Sequence, residues 1–309
     1  MSKENTAVTK KKIKRCKEDV VFDAACFIIL TLVLFVVAYP LYWVIISSIS
    51  APSAVSSGKV LLHPIGFTLK GYAEVFKNDQ VMRGFLNSLI ITFCAVMVNL
   101  IVTLPTSYAL SRSNFSGKKP ITIFYLITMF FGGGLIPTYL VIQRLQMLNT
   151  IWALILPGCL SVYNMIVART FFKSNISEEL YEAAEIDGCT QARFFFQIAL
   201  PLSKAIIAIL VLYYGVGHWN SYFSALVYIS DKAKYPLQLV LRNILITNQT
   251  ALSQTATTAA ARAALQEKQQ LIDVMKYSLI IISSIPVLVM YPLVQKHFVK
   301  GVMIGSMKG

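Results

Sequence analysis

The sequence predicts an all-α membrane protein with six transmembrane helices. Three observations predict this fold class: the composition is too apolar for a soluble domain, apolar runs of spanning length recur six times, and basic residues lie mainly in alternate loops. Of the 309 residues, 56% are hydrophobic and 14% are charged, and the mean hydropathy is +0.64. A soluble domain carries about 25% charged residues, so most of this chain is expected to lie in lipid.

The six apolar runs are each long enough to cross the hydrocarbon core as a helix, which takes about 20 residues. The first run is too long for the apolar region of a signal peptide, at roughly 7–15 residues, and is interpreted as a span. The predicted spans cover residues 22–46, 87–110, 121–142, 151–172, 202–227 and 276–298.

The distribution of Lys and Arg indicates the orientation, because cytoplasmic loops carry an excess of both. Seven lie within the first 17 residues, and two loops on the same side add Arg112, Lys118, Lys119, Lys173 and Arg193. We expect a multi-pass plasma-membrane protein with a basic cytoplasmic tail at 1–20, a transmembrane domain at 21–300 and a cytoplasmic tail at 301–309. The net charge of +14 then reflects topology and attraction to anionic membrane lipid, and not nucleic-acid binding.

Two predicted outer loops are long, at about 50–85 and 228–275. The first is expected to hold some short helix. In the second, residues 247–260 are polar and small and are expected to be mobile. Residues 261–275 favour an outer-surface helix that leads into the sixth span.

Prolines and glycines interrupt the predicted spans. A proline tends to kink its helix, and such kinks serve either helix packing or the opening of a central cavity. Six prolines lie at membrane depth: Pro105, Pro137, Pro157, Pro201, Pro286 and Pro292. Gly132, Gly133 and Gly134 precede Pro137 and weaken the helix there. They permit either close helix packing or an unwound stretch that lines a path through the bundle.

The sequence lacks the residue patterns of an enzyme. None of its five cysteines has metal-ligand spacing with the three histidines, and it has no Gly-x-x-x-x-Gly-Lys-Ser/Thr loop for a nucleotide phosphate. We therefore expect no catalytic residue, no metal site and no cofactor bound by this chain. Acidic residues are almost absent from the predicted spans, which counts against a proton- or sodium-coupled carrier.

The loop between the fourth and fifth spans, at 173–201, is predicted to begin with a short capped helix over 178–187 and to continue as a second helix into the fifth span. Side-chain caps, acidic first turns and glycine ends mark helix boundaries. The signals are the N-cap Ser177, the acidic pair Glu178 and Glu179, the hydrophobic staple of Ile176 with Tyr181, and the terminating Gly188.

The same loop has a fixed pattern: Glu-Ala-Ala, three residues, Gly, nine residues, Ile, one residue, Leu-Pro. The matching positions are Glu182, Ala183, Ala184, Gly188, Ile198, Leu200 and Pro201. This pattern resembles the loop by which permease subunits of ABC importers dock on their ATPase subunits. For the helix alone, an ordinary amphipathic surface helix is the alternative interpretation.

The resemblance implies a type I ABC importer permease fold with a cytoplasmic coupling helix, which inserts into a cleft of the ATPase. ATP and Mg are then held and hydrolysed by partner chains. The implied partners are a second permease in a heterodimer, two ATPase subunits and an extracellular sugar-binding lipoprotein. The implied coupling residues are Glu182, Ala183, Ala184, Asp187, Gly188, Ile198, Leu200 and Pro201.

Further segments resemble the carbohydrate, maltose-type branch of this family. They are residues 168–202, the pair Trp219-Asn220, and residues 291–309, which are similar to permeases paired with lipoprotein-type sugar-binding proteins in Gram-positive bacteria. The resemblance also implies that the tail at 300–309 contacts the ATPases. Cys189, Ala205 and the 247–260 stretch depart from the family pattern, and the sequence does not identify the sugar.

Sugars offer hydroxyls and apolar ring faces, so candidates for the substrate pathway are amide and aromatic residues of the fourth and fifth spans. These are Tyr163, Asn164, Tyr214, His218, Trp219, Asn220 and Tyr222. His218 and Tyr222, four residues apart, are expected to share a helix face. An interfacial aromatic belt or packing between helices stays open for each, and Asn99 is equally expected to join two helices by a hydrogen bond.

The sequence thus predicts a non-catalytic permease subunit of an ATP-driven importer for a carbohydrate, in particular an oligosaccharide, that forms half of the translocation pathway. The alternative is an ion-coupled secondary carrier or channel that acts alone.

Overall fold

The structure is a computed structural model that describes residues 16–251 and 259–305, and most of these residues are helical. In chain order the helices are α1 (Lys17–Ser48), α2 (Pro52–Ser56), α3 (Lys70–Lys77), α4 (Asp79–Ser111), α5 (Lys118–Phe130), α6 (Leu135–Arg144), α7 (Trp152–Ile155), α8 (Val162–Asn175), α9 (Glu178–Ile186), α10 (Gln191–Phe194), α11 (Leu200–Leu202), α12 (Lys204–Trp219), α13 (Phe223–Tyr228), α14 (Leu237–Ala251) and α15 (Ala259–Gly305). Leu156–Gly158 and Lys232–Lys234 are 3₁₀ turns, and Phe195–Ala199 is a π-helix.

Three helices in the described part of the chain are long and apolar enough to cross a membrane by themselves. They are α1, α4 and the Gln269–Pro292 part of α15. Three pairs qualify only together, because each is bent at a short break: α5 with α6 by 113°, Trp152–Gly158 with α8 by 52°, and Gln191–Leu202 with α12 by 79°. The described residues therefore hold three continuous spans, or up to six if each bent pair is one span.

The predicted third span, 121–142, is not one straight helix. α5 ends at Phe130 and α6 begins at Leu135, and the glycines at 132–134 lie in the unwound stretch between them. Gly134 has a φ of +86°, which favours glycine, and a Cβ at Gly132 or Gly134 would meet no atom within 4 Å. These glycines therefore serve an unwound stretch and not close packing within this chain.

The predicted fifth span, 202–227, is also interrupted. Its main helix, α12, begins after the bend at Ser203 and ends at Trp219, so Tyr222 lies in the turn before α13. The expectation that His218 and Tyr222 share a helix face is therefore wrong. The physical reason lies in Asn220 and Ser221, whose side chains favour caps and turns over a helix interior.

The prolines at membrane depth fall into two groups. Three of them lie within continuous helices: Pro105 in α4, and Pro286 and Pro292 in α15. The other three lie at or beside the breaks of the bent pairs: Pro137, Pro157 and Pro201. The second group starts new helical segments, where the missing N–H of proline costs little.

The outer loops contain more helix than predicted. The first holds the expected short helices α2 and α3, whereas α14 in the second was not predicted. The expected surface helix and sixth span form one helix, α15. The predicted mobile stretch at 247–260 includes the end of α14, and its residues 252–258 lie outside the described residues, as do 1–15 and 306–309. The side chains of the tail predicted to contact ATPases also lie outside the described part.

Buried polar side chains of α4 join it to its neighbours. Asn99 Nδ2 donates to the carbonyl of Gly158 at 2.9 Å, and Ser107 Oγ donates to the carbonyl of Met165 at 3.0 Å. The hydroxyls of Thr103 and Tyr214 share a hydrogen bond of 2.7 Å. The expectation that Asn99 joins two helices is confirmed, and α4 forms the centre of the bundle.

We expect Thr103→Val to destabilise the protein by roughly 0.6–1.7 kcal/mol, the range of hydrogen bonds between membrane helices, because the buried Tyr214 hydroxyl would lose a partner. The measurement is the melting temperature in detergent. Thr106→Val is the matched control, since among the described residues the Thr106 hydroxyl bonds only the Val102 carbonyl of its own helix, at 2.7 Å. Equal melting temperatures for the two variants would contradict the expectation.

Candidate functional site

The helix α9 is capped at both ends by its own sequence, as predicted. The Ser177 hydroxyl accepts a hydrogen bond from the amide of Leu180 at 3.3 Å, and both staple residues, Ile176 and Tyr181, are buried. At the other end Gly188 has a φ of +76°. Its amide donates to the carbonyl of Glu185 at 3.0 Å, and the next amide donates to the carbonyl of Ala184 at 2.9 Å. This pair of bonds is a Schellman motif, so α9 ends one residue earlier than predicted.

An ion pair fixes the first turn of α9 to the end of α4. The Arg112 guanidinium pairs with the Glu178 carboxylate, whose other oxygen accepts a hydrogen bond from the amide of Ser113 at 3.0 Å. The Arg112 side chain is only 11% exposed and lies over the ring of Tyr181, 4.7 Å from its centroid. Arg112 thus contacts α9 through both its charge and its flat face.

The pKa of Glu178 reflects this clamp. Burial alone raises the pKa of a carboxyl, but the hydrogen bonds from Ser113 and the charges of Arg112 and Lys118 outweigh it and hold the pKa of Glu178 below its usual range. From the sequence, Arg112 is predicted only as one of the cytoplasmic basic residues. The pairing was missed because 66 residues separate the two side chains.

The inner face of α9 packs on an aromatic core. The rings of Tyr181 and Phe194 lie 5.3 Å apart, and that of Tyr108 lies 5.7 Å from Phe172. Three predicted coupling residues pack against this core: Ala184, Ile198 and Leu200. Ala184 joins the inner face of α9 to this core, and Ile198 and Leu200 pack against the core from the segment that follows; all three are half-buried.

The outer face of α9 is open. Of the predicted coupling residues, Glu182, Ala183, Asp187, Gly188 and Pro201 are exposed. Ile186 is 87% exposed, although it was not predicted as a site residue. Glu179, Ala183 and Ile186 follow the i, i+4, i+7 spacing of one helix face. That spacing, together with a large apolar residue opposite the buried Tyr181, is the signal that could have identified Ile186.

After α9, the rest of the Glu-Ala-Ala…Leu-Pro pattern, up to Pro201, lies in an irregular helical segment. Phe195–Ala199 forms a π-helix, and a 79° bend follows before α12 begins at Lys204. Such π-segments are uncommon and often occur at functional sites. At the bend, Ser203 is fully buried, and its hydroxyl has no hydrogen-bond partner in the part of the chain that the structure describes.

A cavity of about 370 Å³ lies where α12 passes the break before α8. Three of the seven predicted pathway residues line it: Asn164, Tyr214 and His218. Hydroxyl groups that were not predicted surround these three residues. Serines close in sequence to the predicted amides were a signal that could have identified some of them. The hydroxyls belong to Ser161, Ser221, Ser224, Tyr213 and Tyr228.

The polar groups of the cavity differ in what they already bind. The Tyr214 hydroxyl shares a hydrogen bond with the Thr103 hydroxyl and accepts another from the backbone amide of Ser161 at 3.2 Å. These bonds hold the cavity wall formed by α12 in place. Asn164 is only 7% exposed as a residue, and no hydrogen bond joins its side-chain amide to another described residue. The amide atoms are not among the fully buried ones, so they are accessible from the cavity that Asn164 lines. This makes Asn164 a group available to a ligand.

The other four predicted pathway residues lie elsewhere. Trp219 is buried, and its Nε1 donates to the carbonyl of Ser283 at 2.8 Å, so it packs between helices. Tyr163 is exposed on α8, and Asn220 is exposed at the end of α12. The Tyr222 ring lies 5.8 Å from the Arg242 guanidinium. None of these four lines the cavity.

We expect Glu178→Gln to loosen α9 by up to about 1 kcal/mol, because the pair is partly exposed while Arg112 would stay nearly buried. The measurement is trypsin cleavage at the exposed Lys173 and Arg193, which should become faster at pH 7. Since the pKa of Glu178 is lowered, the clamp is complete above about pH 4.3, the usual value for Glu, and is lost as pH falls further. Glu179→Gln is the control, and equal cleavage of both variants would contradict the clamp.

Comparison with known proteins gives a consistent picture, although no family model matches the chain. The chain is 35% identical over 288 residues to the polygalacturonan/rhamnogalacturonan transport system permease protein YtcP of Bacillus subtilis, covering 93% of this chain and 98% of the relative. It is 38% identical over 289 residues to protein LplC of the same bacterium, covering 94% and 95%.

A solved structure supports the same assignment at the level of the fold. A chain of a bacterial ABC transporter involved in the import of the acidic polysaccharide alginate superposes with a TM-score of 0.82 at 27% identity, covering 92% of this chain and 99% of that one. A TM-score of 0.82 over nearly the whole of both chains shows that the two share a fold. The chain therefore belongs to the family of permease subunits of carbohydrate ABC importers.

Proposed function

We propose that this chain forms one half of the pathway of an ATP-driven oligosaccharide importer and that α9 is its coupling helix. The observation that carries the proposal is the contrast between the two faces of α9. One face is fixed by the Arg112–Glu178 pair and the aromatic core, whereas the other presents Ile186 to an outside partner. A rigid helix with an open apolar position is suited to transmit a push from another subunit.

The proposed assembly includes partners that supply what this chain lacks. The chain has no phosphate-binding loop, so two partner ATPases with bound ATP and Mg supply the energy. A second permease completes the pathway, and an extracellular sugar-binding lipoprotein delivers the substrate. The similarity to permeases of Bacillus subtilis supports a Gram-positive source.

In the proposed arrangement, each bent pair counts as one span, which gives six spans in a type I permease fold. The basic residues then place both termini and α9 in the cytoplasm. The division into a cytoplasmic tail at 1–20, a transmembrane domain at 21–300 and a cytoplasmic tail at 301–309 is part of this proposal.

The route from α9 to the substrate is short. The aromatic core under α9 includes Phe194, which leads through the π-helix and the bend at Ser203 into α12. α12 carries Tyr214 and His218, which line the cavity. A displacement of α9 would therefore move one wall of the cavity against α4 and α8.

The cavity has the chemistry that a sugar needs. Asn164 offers an amide, the serines offer hydroxyls, and the partly exposed ring of Tyr213 offers an apolar face. YtcP is named for polygalacturonan and rhamnogalacturonan, and the structural relative imports alginate. We propose that the substrate is an oligosaccharide of such a plant or algal polymer.

We expect Ile186→Asp to reduce co-purification of the ATPase at least tenfold, since a buried apolar contact at the centre of an interface is worth about 2 kcal/mol or more. The measurement is mass spectrometry of the tagged chain extracted in mild detergent from its own host. Phe76→Asp is the matched control, because Phe76 is also exposed, at 60%, but lies on α3. A complex that survives Ile186→Asp unchanged would contradict the assignment of this face.

We expect Asn164→Ala to lower uptake of oligogalacturonides about 2- to 10-fold through a higher KM, as the loss of one hydrogen bond predicts. Asn220→Ala, outside the cavity, should leave the KM unchanged. Uptake is measured in vesicles that hold the whole importer. Transport by this chain alone, driven by an ion gradient without ATP, would instead favour the carrier alternative.

A further inference from the structure

Three consecutive backbone carbonyls in the loop at 57–69 are bonded by aromatic side chains of α1. Trp43 Nε1 donates to the carbonyl of Val60 at 2.8 Å, and the Tyr42 hydroxyl donates to that of Leu62 at 2.7 Å. The Tyr39 hydroxyl adds a longer contact of 3.4 Å to the carbonyl of Leu61. The loop therefore does not extend freely from the end of α1 but turns back along its side.

The depth of this contact can be estimated from α1 itself. The last charged residue of α1 is Asp23, and about 20 further residues cross the hydrocarbon core. That distance ends at Trp43, so the aromatic donors lie in the last turns of the apolar section. Tyr and Trp prefer this boundary between hydrocarbon and water.

The side chains of the same loop segment are apolar and exposed. Leu61 is 60% exposed and Leu62 is 69% exposed, beside the apolar surface of α1, none of whose spanning section is buried within the chain. In water this arrangement would expose two leucines without benefit. In a bilayer it is favourable, because an irregular segment at this depth needs its carbonyls bonded, and three aromatic donors provide those bonds.

We propose that residues 60–62 form an anchor in the membrane interface, with the side chains of Leu61 and Leu62 inserted among the lipid acyl chains at the Ser48 end of α1. The neighbouring Lys59, which is exposed, extends its ammonium group to the lipid headgroups. The anchor fixes the height of the loop that connects α2 with α3. The partner is the lipid bilayer, and not the second permease or the binding protein.

The test places a nitroxide spin label at Leu62→Cys in the full-length chain, purified with its co-purifying subunits and reconstituted in lipid nanodiscs. The five native cysteines, all free, are first replaced by serine. Collision of the label with oxygen reports lipid, and collision with a water-soluble nickel chelate reports water. We expect an oxygen-to-nickel ratio several-fold above that of a label at Lys77→Cys, an exposed position on α3.

A second measurement removes the donors. Tyr42→Phe combined with Trp43→Phe should bring the ratio at residue 62 close to that at residue 77, because the carbonyls would then need water. A high nickel accessibility in the unaltered loop would show that the loop lies in water. Low accessibility to both reagents would show that protein covers it. Either result overturns the proposal, while uptake, which is measured separately, would still test the transport function.

Discussion

The whole bundle depends on one constraint: a helix that breaks inside a membrane leaves backbone groups that only protein can satisfy. α4 is the continuous helix that meets this need. Asn99 bonds the carbonyl of Gly158 at the break before α8, and Ser88 Oγ accepts the amide of Leu237 at the start of α14, at 2.8 Å. Thr103 contributes indirectly. Its hydroxyl shares a hydrogen bond with Tyr214, and the Tyr214 hydroxyl accepts a hydrogen bond from the backbone amide of Ser161. The break before α8 is stable because α4 bonds one side of it through Asn99 and the other side through Tyr214.

The break before α8 also borders the cavity. The cavity lies beside the break between Gly158 and Val162, where an unbroken helix would have filled the space with its own turn. Asn164 lies one turn into α8, buried and without a described partner, whereas Tyr214 is fully bonded. One wall is therefore held by hydrogen bonds, and the other offers an amide without a partner among the described residues. In the function that we propose, a sugar would bind to that amide.

Local signals in the sequence were reliable where the interacting residues lie close together in the chain. Ser177, Tyr181 and Gly188 describe α9 completely, because caps and staples act within about one turn of each helix end. The bends were only suggested, by the glycines at 132–134 and by Pro201. The angles could not be predicted, since they depend on packing against α4. The Arg112–Glu178 pair and the cavity lining depend on contacts between distant segments, which hydropathy and spacing do not encode.

The position of α9 shows why both its anchoring and its openness matter. If the Arg112–Glu178 pair and the aromatic core were absent, a push on Ile186 would be absorbed by movement of α9 relative to α4. With them present, a push on α9 would be passed to Phe194 and the π-helix that follows. A π-helix departs from regular α-helical hydrogen bonding and is often found at functional sites. In the coupling that we propose, the π-helix and the bend at Ser203 are the irregular part of the chain between α9 and α12, and we expect movement to concentrate there.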